Sequence, residues 1–219
     1  MNSVIEHWMS NKYTAMPATV VAYDFQNQMV DVVPDIDVMD WDANQTTEKR
    51  PLITSVPLQF PSSLTSAITF PVPAGSKVLL VWSMRGLDNW KQNGNNTPPD
   101  YRMFDYSDAV AIAGVWPQTQ AKTRHGQSPD DLVLVHNIGG SQNEIHLKAN
   151  GDIVAKSPTT FKVECSEFVV DASHAQINSP IDTSSTITAV GNVVGAGISL
   201  NSHTHGGVSV GGSNTSGPN

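Results

Sequence analysis

The chain has 219 residues, 39% of them hydrophobic, which fits one large or two small domains of a water-exposed protein. Its 12 Lys and Arg stand against 20 Asp and Glu, a net charge of -8 that opposes nucleic-acid binding, because such affinity rests on basic side chains neutralising phosphates. The single cysteine, Cys165, excludes an internal disulfide framework and fits folding in a reducing cytoplasm.

In chain order, the first stretch carries Glu6 and His7 and lacks the basic and apolar regions of a secretory signal; a short helix is expected around Ser3 to Lys12. The segments Thr19-Val-Val-Ala-Tyr23 and Met29-Val-Asp-Val-Val33, separated by Asp24-Phe-Gln-Asn27, predict a hairpin. Residues 52–60 alternate loosely, and Pro51, Pro57 and Pro61 predict an edge strand or short pieces there. Ile68-Thr-Phe70 is expected as a short strand before the turn Pro71-Val-Pro-Ala-Gly-Ser76, which delivers the strongest strand, 77–83. A last strand, 109–115, ends at Trp116-Pro117. Short strands at this spacing predict a small Greek-key barrel of the OB type. Asp31, Asp35, Asp37, Asp40 and Asp42 lack the glycine and terminal glutamate of a calcium loop and are expected to form a solvated acidic loop.

All five Trp and the last Tyr lie in the first 116 positions, and this shift in composition predicts a domain border between Trp116-Pro117 and Gly126-Gln127. No apolar run reaches the ~20 residues a helix needs to cross a bilayer; Leu132-Val-Leu-Val135 is only strand-sized. From Glu144 onward, apolar pairs recur two residues apart: Ile145/Leu147, Ile153/Ala155, Phe161/Val163, Phe168/Val170 and Ala175/Ile177. Successive pairs are eight, eight, seven and seven positions apart. Each pair reads as a short strand with one buried face, and the period predicts rungs of a β-solenoid or intertwined β-helix. Such strands bury too little alone, so the chain is expected to need partners of its own kind. Cys165, in phase with Phe161 and Val163, is expected to be a buried apolar thiol. His125, His136, His146 and His174 are scattered and expected at the surface.

No aromatic follows Phe168, no Lys or Arg follows Lys162, and no charged residue follows Asp182. An end of this kind costs far less to move through lipid than a charged one. Gly207-Val-Ser-Val-Gly211 matches a nucleophile-elbow pattern, but no acid or histidine follows it, so the match is attributed to chance and no enzyme activity is expected. His203 and His205, two apart, project from one face of an extended strand. Two imidazoles are half of what most transition-metal sites need. The pair is therefore either solvated or one third of a six-imidazole octahedral site built by three chains on a three-fold axis.

Several of these stretches carry a resemblance. Val78-Leu-Leu-Val-Trp-Ser-Met-Arg-Gly-Leu-Asp-Asn-Trp90, Phe104-Asp-Tyr-Ser-Asp-Ala-Val-Ala-Ile-Ala-Gly114, Gly139-Gly-Ser-Gln-Asn-Glu-Ile-His-Leu-Lys-Ala-Asn-Gly-Asp-Ile153, His203-Thr-His205-Gly-Gly and Ser213-Asn-Thr-Ser-Gly-Pro218 together resemble the central baseplate spike of contractile-tailed bacteriophages. The resemblance implies an all-β homotrimer: an N-terminal segment (1–16), an OB-fold domain (17–117), a linker or neck (118–140), a trimeric β-helix (141–200) and an apex (201–219). It implies one iron ion per trimer held by His203 and His205 of three chains, although imidazole sets also accept nickel or zinc. The implied partners are the baseplate hub at the end of the tail tube, reached through the N-terminal domain, and transiently the bacterial outer membrane, with no nucleic acid. The implied location is the virion's tail tip, and the implied action is non-enzymatic piercing of that membrane. The competing reading is a trimeric adhesin or receptor-binding fibre, which would be expected to end in a larger head with exposed aromatics.

Overall fold

The computed structural model describes residues 12–39, 46–120, 128–204, 207 and 211. It divides into two units, Met1–Lys162 and Val163–Asn219. The expected helix around Ser3 to Lys12 falls almost wholly outside the described residues.

The first unit is built on a barrel whose strands are β1 (Ala15–Asp24), β2 (Met29–Pro34), β5 (Ile53–Gln59), β6 (Lys77–Trp82) and β7 (Ala109–Ala113). They close in the order β1-β2-β5-β7-β6, with β5 and β7 parallel and every other pairing antiparallel. This is the five-stranded Greek-key closure expected from the sequence. A two-stranded ribbon, β3 (Val38–Met39) with β4 (Thr47–Glu48), lies between β2 and β5 in the chain. The predicted hairpin turn is fixed by Asp24, whose carboxylate accepts the Gln26 and Asn27 N–H groups at 3.0 and 3.1 Å and the Asn27 side-chain amide at 2.7 Å. This local bond is why Asp favours such positions.

Alternation fills the barrel. Ala18, Val20, Val30, Val32, Ile53, Val56, Leu58, Val78, Leu80, Trp82, Ala109 and Ala111 all point inward and are buried, with Phe60 and Val72 from the connecting loop. Tyr13, Trp82 and Tyr106 plug one end: their ring centroids lie 5.0 to 6.4 Å apart, and the Trp82 indole N–H donates to the Tyr106 carbonyl at 2.9 Å.

Two expectations are corrected. Residues 53–59 are not an edge strand, because β5 lies between β2 and β7. Pro57 is tolerated for a local reason. The Leu58 N–H bonds the Gln28 carbonyl on the β2 side at 2.9 Å, so the Pro57 nitrogen, one residue earlier, faces the other side, where pairing with β7 begins only at Leu58. The bulge in β5 is similarly satisfied: Ser55, at φ 55°, leaves the ladder and its N–H bonds Asp31 Oδ1 at 2.9 Å. Ile68–Phe70 forms no strand. Only a bridge between Ser62 and Ala67 forms there, since Pro71 and Pro73 offer no N–H to extend a ladder.

The connection from β6 to β7 carries a short helix that the sequence reading did not anticipate, α1 (Asp88–Asn93), closed by Gly94 in the left-handed region at φ 71°. Beyond the barrel, β8 (Leu132–His136), β9 (Asn143–Leu147) and β10 (Ile153–Lys156) form an antiparallel sheet in the order β10-β9-β8. β9 and β10 carry the first two apolar pairs, and β8 lies in the stretch read as a neck.

The second unit carries one small hairpin, β11 (Val194–Gly195) with β12 (Ile198–Ser199). Its turn residues Ala196 and Gly197 sit at φ 48° and 82°, the two positive values a tight two-residue hairpin needs. Residues 157–193 join no ladder within the chain, and Phe161, Val163, Phe168, Val170 and Ile177 are all exposed. Cys165 is exposed too, not buried as expected from its phase, because the neighbours it was to pack beside are themselves uncovered.

Candidate functional site

The end of the described chain builds a compact polar turn from the β11–β12 hairpin. The Leu200 N–H bonds the Val193 carbonyl at 2.8 Å, which extends the hairpin by one step. Asn192 Oδ1 then accepts the Ser199 hydroxyl at 3.0 Å and the Asn201 N–H at 3.2 Å. The Ser199 side chain in turn accepts the Ser202 N–H at 3.2 Å. The His203 N–H closes the turn on the Ser199 carbonyl at 3.1 Å. Serine and asparagine suit this place because their side chains bond nearby backbone groups.

The result orients one imidazole. His203 Nδ1 lies 3.2 Å from both the Ser199 and the Leu200 carbonyl oxygens. Carbonyls only accept, so these contacts are hydrogen bonds in the tautomer whose Nδ1 carries the ring proton. A backbone carbonyl on the far ring nitrogen is the usual support of a metal-ligating histidine. His203 thus has the backbone support on Nδ1 that a metal-ligating histidine uses. His205 and most of the Gly207-to-Gly211 motif lie outside the described residues. Among the described residues, no three His, Cys, Asp or Glu side chains could hold a metal ion together.

His146, expected as an isolated surface histidine, has partners. It lies opposite in face to Ile145 and Leu147, as alternation requires, with its Nε2 2.9 Å from Glu144 and its Nδ1 3.7 Å from Asp131. Lys156, paired with Glu144 across the β9–β10 register, reaches the same carboxylate at 3.0 Å. Lys156 first, then His146, holds the Glu144 carboxyl below its ordinary range. The i, i+2 spacing of Glu144 and His146 was the available signal. The acidic residues 31 and 35 serve structure: Asp35 accepts Lys77 at 2.8 Å, and Asp31 holds the bulge. Asp40 and Asp42 lie outside the described residues.

A stronger electrostatic centre sits in the β6–β7 connection. Asp108 is 1% exposed, and its carboxylate accepts Arg102 Nε at 2.7 Å, Arg102 Nη2 at 3.1 Å and the Leu87 N–H at 2.8 Å. Arg102 also pairs with Asp88 and, at 3.1 Å, with Asp100. Bonds to Asp108 and then Asp88 hold the Arg102 guanidinium above its ordinary value.

Barrel stability is expected to fall at both ends of the pH scale. Asp24 is held below its ordinary value chiefly by the Asn27 amide, and Asp105 chiefly by the Ser107 hydroxyl at 2.7 Å. Their contribution is complete above the usual carboxylate range, ~4, and is lost as pH falls through their lowered folded values. Burial raises the Tyr106 phenol, partly offset by Arg50. The folded state thus keeps a proton that the unfolded chain releases near pH ~10, and stability declines as pH rises past that point. Urea midpoints at pH 3, 7 and 11 test this; a flat profile contradicts it.

Comparison with known families bears on both the barrel and the last stretch of the chain. Residues 16–114, spanning β1 to β7, match the family model for the phage protein Gp138 N-terminal domain. Residues 197–219, spanning the hairpin turn, His203 and His205, match the GpV Apex motif. Both models describe phage baseplate-spike or tail-tip families. The barrel and the last stretch are thus each similar to parts of phage baseplate-spike or tail-tip proteins. No curated protein matches the chain. The fold is all-β with a closed five-stranded barrel, and the families matched are structural phage tail families. No helix among the described residues is long and apolar enough to cross a membrane.

Proposed function

We propose that this chain is a central tail spike that pierces the host outer membrane when the tail contracts, acting as a non-enzymatic homotrimer. The observation that carries the reading is the state of the single chain beyond the barrel: from 128 to 204 no residue is buried, although Phe161, Phe168, Val170, Ile177, Ile181 and Leu200 lie along it. An apolar stretch that covers nothing of itself needs other copies to cover it. Three copies give a β-helix, in keeping with the rung period, the barrel match and the apex match within one chain.

In the trimer, His203 and His205 of three chains would supply six imidazoles to one iron ion. The Nδ1 contacts of His203 support this assignment, because backbone carbonyls are the usual second partners of a metal-ligating histidine ring. Bound there, the ion would add coordination bonds that tie three uncharged chain ends together. The residues' own work is mechanical: the Asn192, Ser199 and Ser202 bonds hold the turn that presents His203, and no charge after Asp182 opposes entry into lipid. The N-terminal barrel would attach to the baseplate hub.

Virions assembled with a chain ending at residue 200 test the function. Tails are expected to assemble and contract but to infect poorly; full infectivity would contradict a piercing role for the end.

A further inference from the structure

Residues 83–108 join β6 to β7, and a connection beyond ~15 residues in a compact domain usually carries a function. Its place agrees, since it joins the fourth and fifth strands of the barrel, where five-stranded barrels of this closure hold oligosaccharides or oligonucleotides. The connection is also rigid. Arg102 pins Asp88, Asp100 and Asp108, the Asn89 side-chain amide donates to the Thr97 carbonyl at 3.0 Å, and Pro98 and Pro99 have fixed φ. Gly86 lets its two halves meet: a Cβ there would stand 2.9 Å from Pro99 Cγ and 3.2 Å from Arg102 Nε. Beside this contact lies a cavity of about 450 Å³ lined by Arg85, Pro98, Pro99, Asp100 and Tyr101, a volume within the ~300–1,000 Å³ of small-molecule sites.

We infer that this cavity binds a neutral saccharide, with a sugar ring stacked on Tyr101 and its hydroxyls paired with Arg85 and Asp100. Tyr101 is 96% exposed, and among the described residues no other ring packs on it. An aromatic face is apolar and electron-rich, so it suits the CH face of a sugar ring, whose polar groups lie around the rim. Those groups find both kinds of partner. Among the described residues none pairs with the Arg85 guanidinium, whereas Lys77, Lys91, Arg102 and Lys156 each have a carboxylate, so the Arg85 donors are open to hydroxyl oxygens. Asp100 accepts the Arg102 N–H at 3.0 Å and Arg102 Nη1 at 3.1 Å, which takes two of its ~four acceptor positions and leaves the others for hydroxyl protons. Charge selects against other ligands. The three basic residues of the connection (Arg85, Lys91, Arg102) are outnumbered by Asp88, Asp100, Asp105 and Asp108 on a chain already at -8, which opposes an anionic sugar or a nucleic acid. A cation is opposed in turn by Arg85 itself. The site belongs to the barrel and makes no use of the chain end, so it stands or falls apart from the spike reading.

The test is saturation-transfer NMR with titration calorimetry on the full chain, using neutral tetrasaccharides of glucose, galactose, mannose and N-acetylglucosamine beside tetragalacturonate and an oligothymidylate. At least one neutral probe is expected to bind, and more tightly than either anion. Tyr101→Ala is expected to weaken that binding roughly 5-fold or more, the lower end of what a stacked ring contributes at other aromatic platforms. Arg85→Met, which keeps the apolar stem and removes the donors, is expected to weaken it roughly 10-fold. Both side chains are exposed, so the near-ultraviolet dichroism of Trp82 and its tyrosine neighbours is expected to show an intact barrel in each variant. Phe25→Ala removes a ring that is 71% exposed on the β1–β2 turn and is expected to leave binding unchanged. The inference is overturned if no neutral probe binds, if tetragalacturonate or the oligothymidylate binds more tightly, or if Phe25→Ala loses as much as Tyr101→Ala. Binding by Tyr101→Ala or Arg85→Met within about 2-fold of the parent also overturns it.

Discussion

Replacing Arg102 by alanine is expected to destabilise the barrel by roughly 3 kcal/mol, because it leaves the Asp108 carboxylate buried with only the Leu87 N–H as a hydrogen-bond partner. The figure is set below the top of the range for broken buried pairs, since the Arg102 side chain is itself 26% exposed and part of its attraction is screened. At ~4–8 °C per kcal/mol for a barrel of about 100 residues melting as its own unit, the melting temperature should fall by roughly 12–24 °C. Removing the charge from both partners, Arg102→Met with Asp108→Leu, should recover part of the loss, because the penalty arises mostly from the stranded charge. Thermal unfolding followed through Trp82 fluorescence checks both. A shift under ~1 kcal/mol would mean that the network behaves as ordinary surface ion pairs. The consequence reaches beyond stability: Arg102 ties Asp88 of α1, Asp100 and Asp108 into one piece, so its loss should also loosen the loop that presents the exposed Trp90 and Tyr101.

Replacing His203 and His205 together by alanine is expected to abolish metal retention and to lower the melting of the C-terminal region while the barrel transition stays in place. If the ion is present at ~1,000 times its dissociation constant, linkage supplies ~4 kcal/mol to the folded trimer. That corresponds to roughly 8–16 °C. Two-wavelength calorimetric and dichroism scans can separate the transitions, because all described tryptophans lie at or before residue 116. An unchanged C-terminal transition in a metal-free variant would show that the histidine pair is a solvated turn.

Much of the barrel was legible because its strands obey period-two alternation: Val30 and Val32, or Val78, Leu80 and Trp82, face inward as their spacing predicts. Pro57 misled because proline excludes a residue from a ladder on only one side, and which side is free depends on where a distant strand, β7, begins to pair. α1 was missed because six residues without a buried face leave no periodic signal. Asp108 could not be told from a surface aspartate, since its partners Arg102 and Leu87 come together only through the loop's path.

For the candidate site, the His-x-His spacing singled out His203 and His205 as candidates, but not what orients His203. The bonds from Nδ1 to the Ser199 and Leu200 carbonyls depend on a turn that the side chains of Asn192, Ser199 and Ser202 build together. The apolar pairs from Phe161 onward were legible as a pattern, but alternation does not say what covers it, and within one chain Phe161, Phe168 and Ile177 stay exposed.

The central claim is that this end of the chain is one third of a site. Native mass spectrometry of the purified full-length protein, combined with elemental analysis of the same sample, tests it directly. A trimer carrying one iron ion per three chains is expected, with the ion absent from the His203→Ala, His205→Ala variant. A monomer, or a trimer without a metal in that ratio, would contradict it.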